Sequence, residues 1–186
     1  MRDVPQPTFE TPRLRLRPFC ASDAPTVQAL AGDRAIAATT ASIPHPYEDG
    51  MAEAWIAGHP DAWRDGESAS FAVFLRYTGD LVGAVGLTFE AEHRRAELGY
   101  WVARAAWGQG YATEAAQALL DWALGGLRLE RIHARSFAGN AASAGVLRKL
   151  GFREEGVLRR HFVKWGTAQD LVMWGVLREE WEAGRA

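Results

Sequence analysis

Two glycines stand where a predicted strand gives way to a predicted helix, and this arrangement could bind a phosphate group. The stretch from Tyr100 to Glu114 reads YWVARAAWGQGYATE, with Gly108 and Gly110 just before an apolar helical repeat. Glycine lets the main chain approach a ligand closely, and the first turn of a helix offers free N–H groups at the positive end of its dipole. Together these features form an anion site, to which Thr113 can add a hydroxyl.

Two common phosphate motifs are excluded at this point of the chain. A Walker A loop needs Gly-Lys-Ser/Thr, which is missing, and a dinucleotide loop needs a third glycine where this chain has Thr113. A tight strand-to-helix turn without any ligand would explain the glycines equally well. The local spacing therefore leaves phosphate binding open.

The remaining reactive residue types give weaker signals. Cys20 is the only cysteine, which excludes an intrachain disulfide, and we interpret it as a small half-buried hydrophobe rather than a nucleophile. His133 falls in the middle of a predicted strand and is interpreted as structural. No spacing of His, Asp or Glu predicts a metal site.

Composition places the chain among ordinary globular proteins. Its 186 residues predict a single domain over residues 1–186, with residues 1–9 as a loose lead-in. The net charge of −2 provides no basic field for nucleic acid, and no apolar run is long enough to span a bilayer. Because the N-terminus lacks the apolar core of a signal peptide, we expect a cytoplasmic protein without nucleic-acid or membrane partners.

The elements that must position these residues follow from hydrophobic periodicity. Strands are predicted at 13–18, 71–75, 81–89, 95–102, 131–137, 152–164 and 169–177, and helices at 22–30, 48–58, 110–124 and 141–150. The connections between the second, third and fourth strands are too short for crossovers, so these strands should be antiparallel. The strand–helix–strand segment after them should be a right-handed parallel crossover. The prediction is an α/β fold with a mixed, mostly antiparallel sheet and helices on both faces.

Several motifs in this chain resemble one enzyme family. The sequence GQGYATEA at 108–115 resembles the pyrophosphate loop of the GNAT (Gcn5-related) N-acetyltransferases, as do ELGYWV at 97–102 and the NAAS and LRKLGF segments within 140–152. The opening ETPRLRLR at 10–17 and the closing DLVMW at 170–174 are similar to the Rim-type branch, the ribosomal-protein N-terminal acetyltransferases and their relatives. The motifs occur in the family's order along nearly the whole chain.

The resemblance implies the GNAT acyl-CoA N-acyltransferase fold, with acetyl-CoA as co-substrate. The pantetheine arm is expected between two splayed parallel strands, against the main chain of Trp101, Val102 and Ala103, with Asn140 touching it. In the family a Gln or Arg often precedes the loop where this chain has Ala105, so the loop would depend on main-chain donors or on Arg104. The residues expected to hold the pyrophosphate are Gly108, Gln109, Gly110, Tyr111, Ala112 and Thr113.

The resemblance also suggests the catalytic groups. Glu97 is the candidate base, because burial on an apolar strand would strengthen it, although it could instead pair with Arg94 or Arg95. Ser143 is the candidate acid for the leaving thiolate, since related enzymes use the matching serine, although it could simply belong to the cap of a helix at Asn140. The main-chain N–H of Val102 or a neighbour is expected to bind the oxyanion.

The predicted function is direct acetyl transfer, in a ternary complex, to the N-terminal α-amine of a protein, with a ribosomal protein as the model acceptor. The alternatives are a small amine such as a polyamine, amino acid or antibiotic, and a non-catalytic acyl-CoA-binding sensor. An open cleft would suit a peptide and a closed acidic pocket a polyamine. His45 and Tyr47 lie in a loop that could shape this pocket. A homodimer stays open, because many relatives dimerise.

Overall fold

The computed structural model describes residues 4–185. Their strands form one sheet with the spatial order β1-β2-β3-β4-β5-β6-β8-β7. Neighbouring strands are antiparallel except β5 and β6, which run parallel. The strands are β1 (Phe9–Glu10), β2 (Leu14–Pro18), β3 (Ser68–Leu75), β4 (Leu81–Glu90), β5 (Arg95–Val102), β6 (Arg131–Phe137), β7 (Arg153–Lys164) and β8 (Thr167–Leu177).

The helices are short, apart from the one that follows β5. They are α1 (Ala24–Ala31), α2 (Arg34–Thr39), α3 (Met51–Ala57), α4 (His59–Asp65), α5 (Tyr111–Leu120), α6 (Ala141–Lys149) and α7 (Arg178–Ala183). The helix of α5 continues into a π-helical turn over Asp121–Gly126. None of the helices within residues 4–185 has the length and apolar character needed to cross a bilayer.

Alternating strand residues bury on opposite faces of the sheet. Phe71 of β3 packs in a core with α5 and α6, whereas its neighbour Ala72 packs in a second core with α1, α2 and α3. Both residues are fully buried, and a side chain of the size of Phe71 contributes about 2–3 kcal/mol on burial. The predicted mixed sheet with helices on both faces is confirmed.

Some predicted boundaries are wrong, for local reasons. The helix predicted at 48–58 begins only at Met51, because Gly50 adopts a left-handed conformation with φ of 85°. The structure adds α2, α4 and α7, each with six or seven residues, which is too short for a helical repeat to stand out. Strand β3 also starts earlier than predicted, at Ser68.

The segment at 4–9 is not loose, contrary to the prediction for residues 1–9. The side chain of Gln6 donates to the carbonyl of Ser70 at 2.8 Å, and the Trp63 indole donates to the carbonyl of Val4 at 2.8 Å. Phe9 forms β1 and packs against Phe71 with ring centroids 5.3 Å apart. Because these partners lie far along the chain, no local pattern marks them. The first three residues lie outside the described residues.

The feature of the fold that creates a site is the short contact between β5 and β6. These strands pair only at Arg95–Glu97 with Arg131–His133, and they diverge beyond that point. On their outer sides the pairing continues, β5 with β4 as far as Val102 and β6 with β8 as far as Phe137. The gap therefore opens inside an otherwise continuous sheet, next to the first turns of α5 and α6.

Candidate active site

A cleft of about 870 Å³ occupies the gap between β5 and β6. It extends from the start of α5 across the sheet to a wall made by residues 39–43. Its volume is in the range expected for a cofactor or small-molecule site. The cleft includes ten of the twelve predicted site residues, namely Glu97, Trp101, Val102, Gly108, Gly110, Tyr111, Ala112, Thr113, Asn140 and Ser143.

The glycine loop has the geometry that its sequence predicts. Gly108 and Gly110 have φ values of 74° and 81°, which residues with a side chain adopt only with strain, and α5 begins directly after Gly110. The N–H groups of Tyr111, Ala112 and Thr113 belong to the first helical turn, so they have no acceptor within the helix. They lie at the cleft and at the positive end of the helix dipole, where an anion is stabilised.

Arg13 braces this loop from the other end of the sequence. Its guanidinium donates to the carbonyl of Gln109 at 2.9 Å and to Glu114 at 2.6 Å, and it lies 4.7 Å from the centre of the Tyr111 ring. Glu114 also accepts from the hydroxyl of Thr11 at 2.6 Å. Burial acts to raise the pKa of Glu114, but the hydrogen bonds from Thr11 and Arg13 outweigh it and lower that pKa below its usual range. The brace leaves Arg13 beside the loop that lacks a cation at Ala105.

The edge of β5 is available to a ligand at alternate residues only. The N–H of Ala103 donates to Val82 in β4 at 2.8 Å, so the main-chain groups of Val102 point the other way, into the cleft. The carbonyl of Val102 accepts from the Trp107 indole at 2.7 Å, and its N–H is the donor left for a ligand. The expectation that the main-chain groups of Trp101 and Ala103 face the ligand is therefore wrong, because the same alternation turns both toward β4. Ala103 and Gln109 are also outside the cleft lining.

Glu97 lies where β5 and β6 part, and its partner is neither of the predicted arginines. Both carboxylate oxygens accept from Arg135 of β6, at 2.7 and 3.0 Å. His133 approaches Glu97 at 3.9 Å and Glu90 at 3.6 Å. Burial lowers the pKa of His133, while the carboxylates of Glu97 and Glu90 act in the opposite direction. Glu97 is therefore a paired carboxylate facing the cleft, with 29% of its side chain exposed.

Ser143 and Tyr100 form a pair of hydroxyl groups on the opposite side of the cleft. Their oxygens share a hydrogen bond of 2.8 Å, in which either can donate. Burial raises the pKa of Tyr100, and the hydrogen bond with Ser143 acts against that shift. The main-chain N–H of Ser143 donates to the side chain of Asn140, which caps α6. The capping role thus belongs to Asn140, and the hydroxyl of Ser143 faces Tyr100.

Asn140 uses both ends of its side-chain amide inside the protein. Its oxygen accepts from the N–H of Ser143 at 3.0 Å, and its nitrogen donates to the carbonyl of Thr39 at 3.3 Å. Asn140 still lines the cleft. It links the first turn of α6 to the wall at 39–43, so any contact with a pantetheine arm would come in addition to these bonds.

The half of the cleft away from the glycine loop has a polar floor and an aromatic side. Small polar side chains of neighbouring strands line the floor, and Trp55 and His59 form the aromatic side. Burial lowers the pKa of His59 to about 4, and neither of its ring nitrogens has a partner within the described residues. The Trp55 and His59 rings meet edge to face at 4.5 Å. The floor residues are Ser68, Ser70 and Thr88.

Sequence reasoning missed the residues that act through distant contacts. Arg135 faces Glu97 because β6 runs beside β5. The only signal for this contact is the predicted pairing of the two strands, since nothing in the residues next to Arg135 marks it. Tyr100 lies within the ELGYWV motif, but the motif alone does not point to a role for its hydroxyl. His59 belongs to a helix that was not predicted. The interpretation of Cys20 as half-buried is wrong, because it is exposed at the surface, and it lies outside the cleft.

Comparison with known proteins agrees with this geometry. Residues 13–153 match the family model described as an acetyltransferase (GNAT) domain. The N-acetyltransferase p20 of Bacillus licheniformis is 34% identical over 118 residues, which are 63% of this chain and 66%, just under two thirds, of that relative.

Two solved structures share the fold over most of their length. RimJ of Mycobacterium smegmatis, in complex with CoA-disulfide, gives a TM-score of 0.80 at 28% identity and covers 90% of this chain and 83% of that one. Spermidine N-acetyltransferase of Vibrio cholerae, in complex with CoA and spermine, gives 0.79 at 25% identity and covers 91% and 98%. Together with the family model, which spans well over half of the sequence, these matches show that the protein belongs to the GNAT acetyltransferase family.

Proposed function

We propose that the protein transfers the acetyl group of acetyl-CoA directly to the N-terminal α-amine of a protein. One observation carries the proposal: β5 and β6 separate after Glu97 and His133, and the helix start at Gly110 opens onto the resulting cleft. An acyl donor that enters from one end of such a gap can meet an amine that enters from the other end. The bound CoA named in the RimJ and spermidine acetyltransferase structures supports this interpretation.

The residues present fit coenzyme A. A diphosphate needs converging N–H donors, and the first turn of α5 supplies them from Tyr111, Ala112 and Thr113. A pantetheine arm carries amides that can pair with a strand edge, and the register of β4 with β5 turns the N–H of Val102 toward the cleft. Acetyl-CoA would supply the activated acetyl group at the point where these two contacts end.

The proton transfers are assigned to two groups on opposite sides of the cleft. An amine attacks only when it is neutral, and a peptide α-amine has a pKa of about 7.7–8.0, so a modest base is sufficient. Glu97 is this base, either directly or through a water, with Arg135 holding its carboxylate in place. The hydroxyl pair of Ser143 and Tyr100 donates the proton that the leaving thiolate needs.

The charges of the cleft favour a peptide over a polyamine. Its charged lining residues are Glu97, Arg135 and Lys149, and the one carboxylate among them is already paired with Arg135. A polycation such as spermidine would be repelled more than it is attracted there. A peptide carries one amine and a series of neutral amides. These amides can form hydrogen bonds with the hydroxyls of Ser68 and Ser70, and a side chain of the peptide can pack against Trp55.

The position of Cys20 supports direct transfer between two bound substrates. Its thiol lies at the exit of β2 beside Ser22 and Asp23, outside the residues that line the cleft. A covalent acetyl intermediate on Cys20 would therefore need a second site. Parallel-line initial-velocity patterns together with an acetylated Cys20 would contradict direct transfer.

The test has two steps. Titration calorimetry with acetyl-CoA should show binding, and a Gly108 and Gly110 loop that does not bind CoA would produce no heat. Free-thiol release is then measured with hexapeptides that begin with Ala or Ser, and with spermidine and spermine. We expect a higher kcat/KM for a peptide than for either polyamine. A preference for the polyamines would overturn the proposed acceptor, and thiol release with none of these amines would overturn the peptide proposal as well.

A further inference from the structure

Residues 39–43 line the far end of the cleft although most of them lie outside any helix or strand. Helix α2 ends at Thr39, and the chain is irregular from Thr40 to the start of α3. Such a segment keeps its position only if other parts of the molecule hold it.

Lys164, at the end of the edge strand β7, contacts this segment from a distant part of the sequence. Its ammonium donates to the carbonyls of both Thr40 and Ile43, each at 2.9 Å. These contacts bridge 124 and 121 positions of sequence. Both acceptors are neutral main-chain carbonyls of the irregular segment that follows α2.

The neighbouring residue of the same hairpin adds packing contacts. The indole of Trp165 lies under the guanidinium of Arg34, with 4.8 Å from Cζ to the ring centre. His45 meets the same indole edge to face at 6.1 Å. The hairpin tip thus touches the start of α2 and the middle of the irregular segment, and it brackets the wall on both sides.

A lysine is suited to this position. An ammonium is a compact donor with three N–H groups, which can serve two carbonyls that point in different directions, whereas a guanidinium is a planar fork. Partial burial lowers the pKa of Lys164, in line with an ammonium that contacts two carbonyls of the protein. The chain uses lysine at only two positions, 149 and 164, and arginine for its other basic residues.

We propose that Lys164 is a positioning residue: it ties the segment Thr39–Ile43 in place as a wall of the acceptor side and thereby sets the affinity for the amine acceptor. The inference rests on the proposed function for its kinetic consequence. Its structural part stands on the contacts of Lys164 and Trp165 alone. Removal of Lys164 should loosen the wall, weaken acceptor binding and leave the CoA end of the cleft unchanged.

The structural part is tested by hydrogen–deuterium exchange with the full-length protein. In Lys164→Met, the amides of residues 40–43, 45 and 47, which exclude Pro44 and Pro46, should exchange about ten-fold faster, the equivalent of one charge-assisted hydrogen bond, while those of α5 keep their rate. Trp165→Ala, which removes the neighbouring contact, should have a smaller effect in the same segment. Arg153→Met, at the other end of β7, should leave it unchanged. Unaltered exchange at 40–47 in Lys164→Met overturns the proposal.

The kinetic part uses the Ala-initiated hexapeptide as acceptor. Lys164→Met should raise the KM for the peptide about ten-fold with little change in kcat or in the KM for acetyl-CoA, and Lys164→Arg should recover part of the loss. A fall in kcat at constant peptide KM would show that the wall does not bind the acceptor, and the proposal fails. If the wild-type enzyme does not acetylate the peptide, the proposed acceptor is wrong, and the exchange measurement still decides whether Lys164 holds the wall.

Discussion

The two ends of the cleft are built in different ways. The end at Gly108–Thr113 is a continuous stretch of main chain whose donors are set by backbone conformation. The end at Thr39–Ile43 is assembled from side chains that reach it from remote elements, including Asn140 and Lys164. Main-chain donors serve one constant ligand chemistry, whereas an assembled wall can change with single substitutions. This difference fits the roles proposed for the two ends, a coenzyme A site and an acceptor site.

The largest expected effect is a loss of turnover on substitution of Glu97, without a loss of acetyl-CoA binding at the other end of the cleft. The variant Glu97→Gln keeps a hydrogen-bond acceptor for Arg135 but cannot take a proton, so kcat near pH 7 should fall about a hundred-fold or more. The affinity for acetyl-CoA should stay the same by calorimetry. Arg135→Met serves as the matched control, because it removes the ion pair and keeps the carboxylate, and it should lose much less activity.

Equal losses in the Glu97 and Arg135 variants would mean that the ion pair acts only in positioning. An unchanged pH–rate profile in Glu97→Gln would remove Glu97 from the role of base. Either result would assign the deprotonation of the amine to another group or to water.

The opposite end is broken by Gly110→Val. At φ of 81° a β-branched residue is strained by about 1–3 kcal/mol, and relief of that strain turns the loop donors away from the ligand. The dissociation constant for acetyl-CoA should therefore rise about ten- to a hundred-fold in calorimetry, with the peptide KM less affected.

A control for Gly110→Val exists at the start of α3. Gly50 has a φ of 85° with open space around it and does not line the cleft, so Gly50→Val carries the same backbone strain away from the loop. It should destabilise the fold to a similar degree and leave acetyl-CoA binding intact. If both variants weaken binding equally, the loss at Gly110 reflects general stability rather than the loop.

The same contrast explains how much the sequence could predict. The order of strands, the helix after Gly110 and the position of the glycine loop follow from periodicity and turn chemistry, which are local. The strand pairing of β5 with β6 follows from the crossover between them. Ten of the predicted site residues line one cleft for this reason.

The acceptor end could not be predicted in the same way. The partner of Glu97 was expected among its near neighbours, Arg94 and Arg95, but Arg95 pairs with Glu90 and the partner is Arg135. The register of two strands decides this, and register is not visible in one strand's residues. His59 escaped notice because α4 is too short to show a helical pattern.

A smaller effect is expected where the two ends meet, at the hydroxyl pair. Ser143→Ala and Tyr100→Phe should each lower kcat about ten-fold, because each removes one member of the hydrogen bond that would supply the thiolate proton. The double variant should lose little more than either single one, since the pair acts as a unit. Independent, multiplying losses in this double-mutant cycle would contradict a shared role.

The smallest expected effect is a pH dependence of stability that comes from His59, on the aromatic side of the cleft. The pKa of His59 falls from 6.5 to about 4 on burial, so between these pH values the unfolded chain binds a proton that the folded chain does not. The free energy of unfolding should therefore rise with pH across this window, and the part owed to His59 is present above 6.5 and lost as the pH falls toward 4.

His59→Phe isolates this contribution, because phenylalanine can pack against Trp55 and Phe19 without titrating. From pH 7 to pH 4.5 the wild type should lose about 1–2 kcal/mol more stability than the variant in urea unfolding, after allowance for solvent screening at a half-buried site. Trp55→Phe keeps His59 and should keep the wild-type slope. Parallel stability curves for His59→Phe and the wild type would show that this histidine is not held neutral. The aromatic side of the cleft would then present a cation, and not a neutral ring, to an incoming amine.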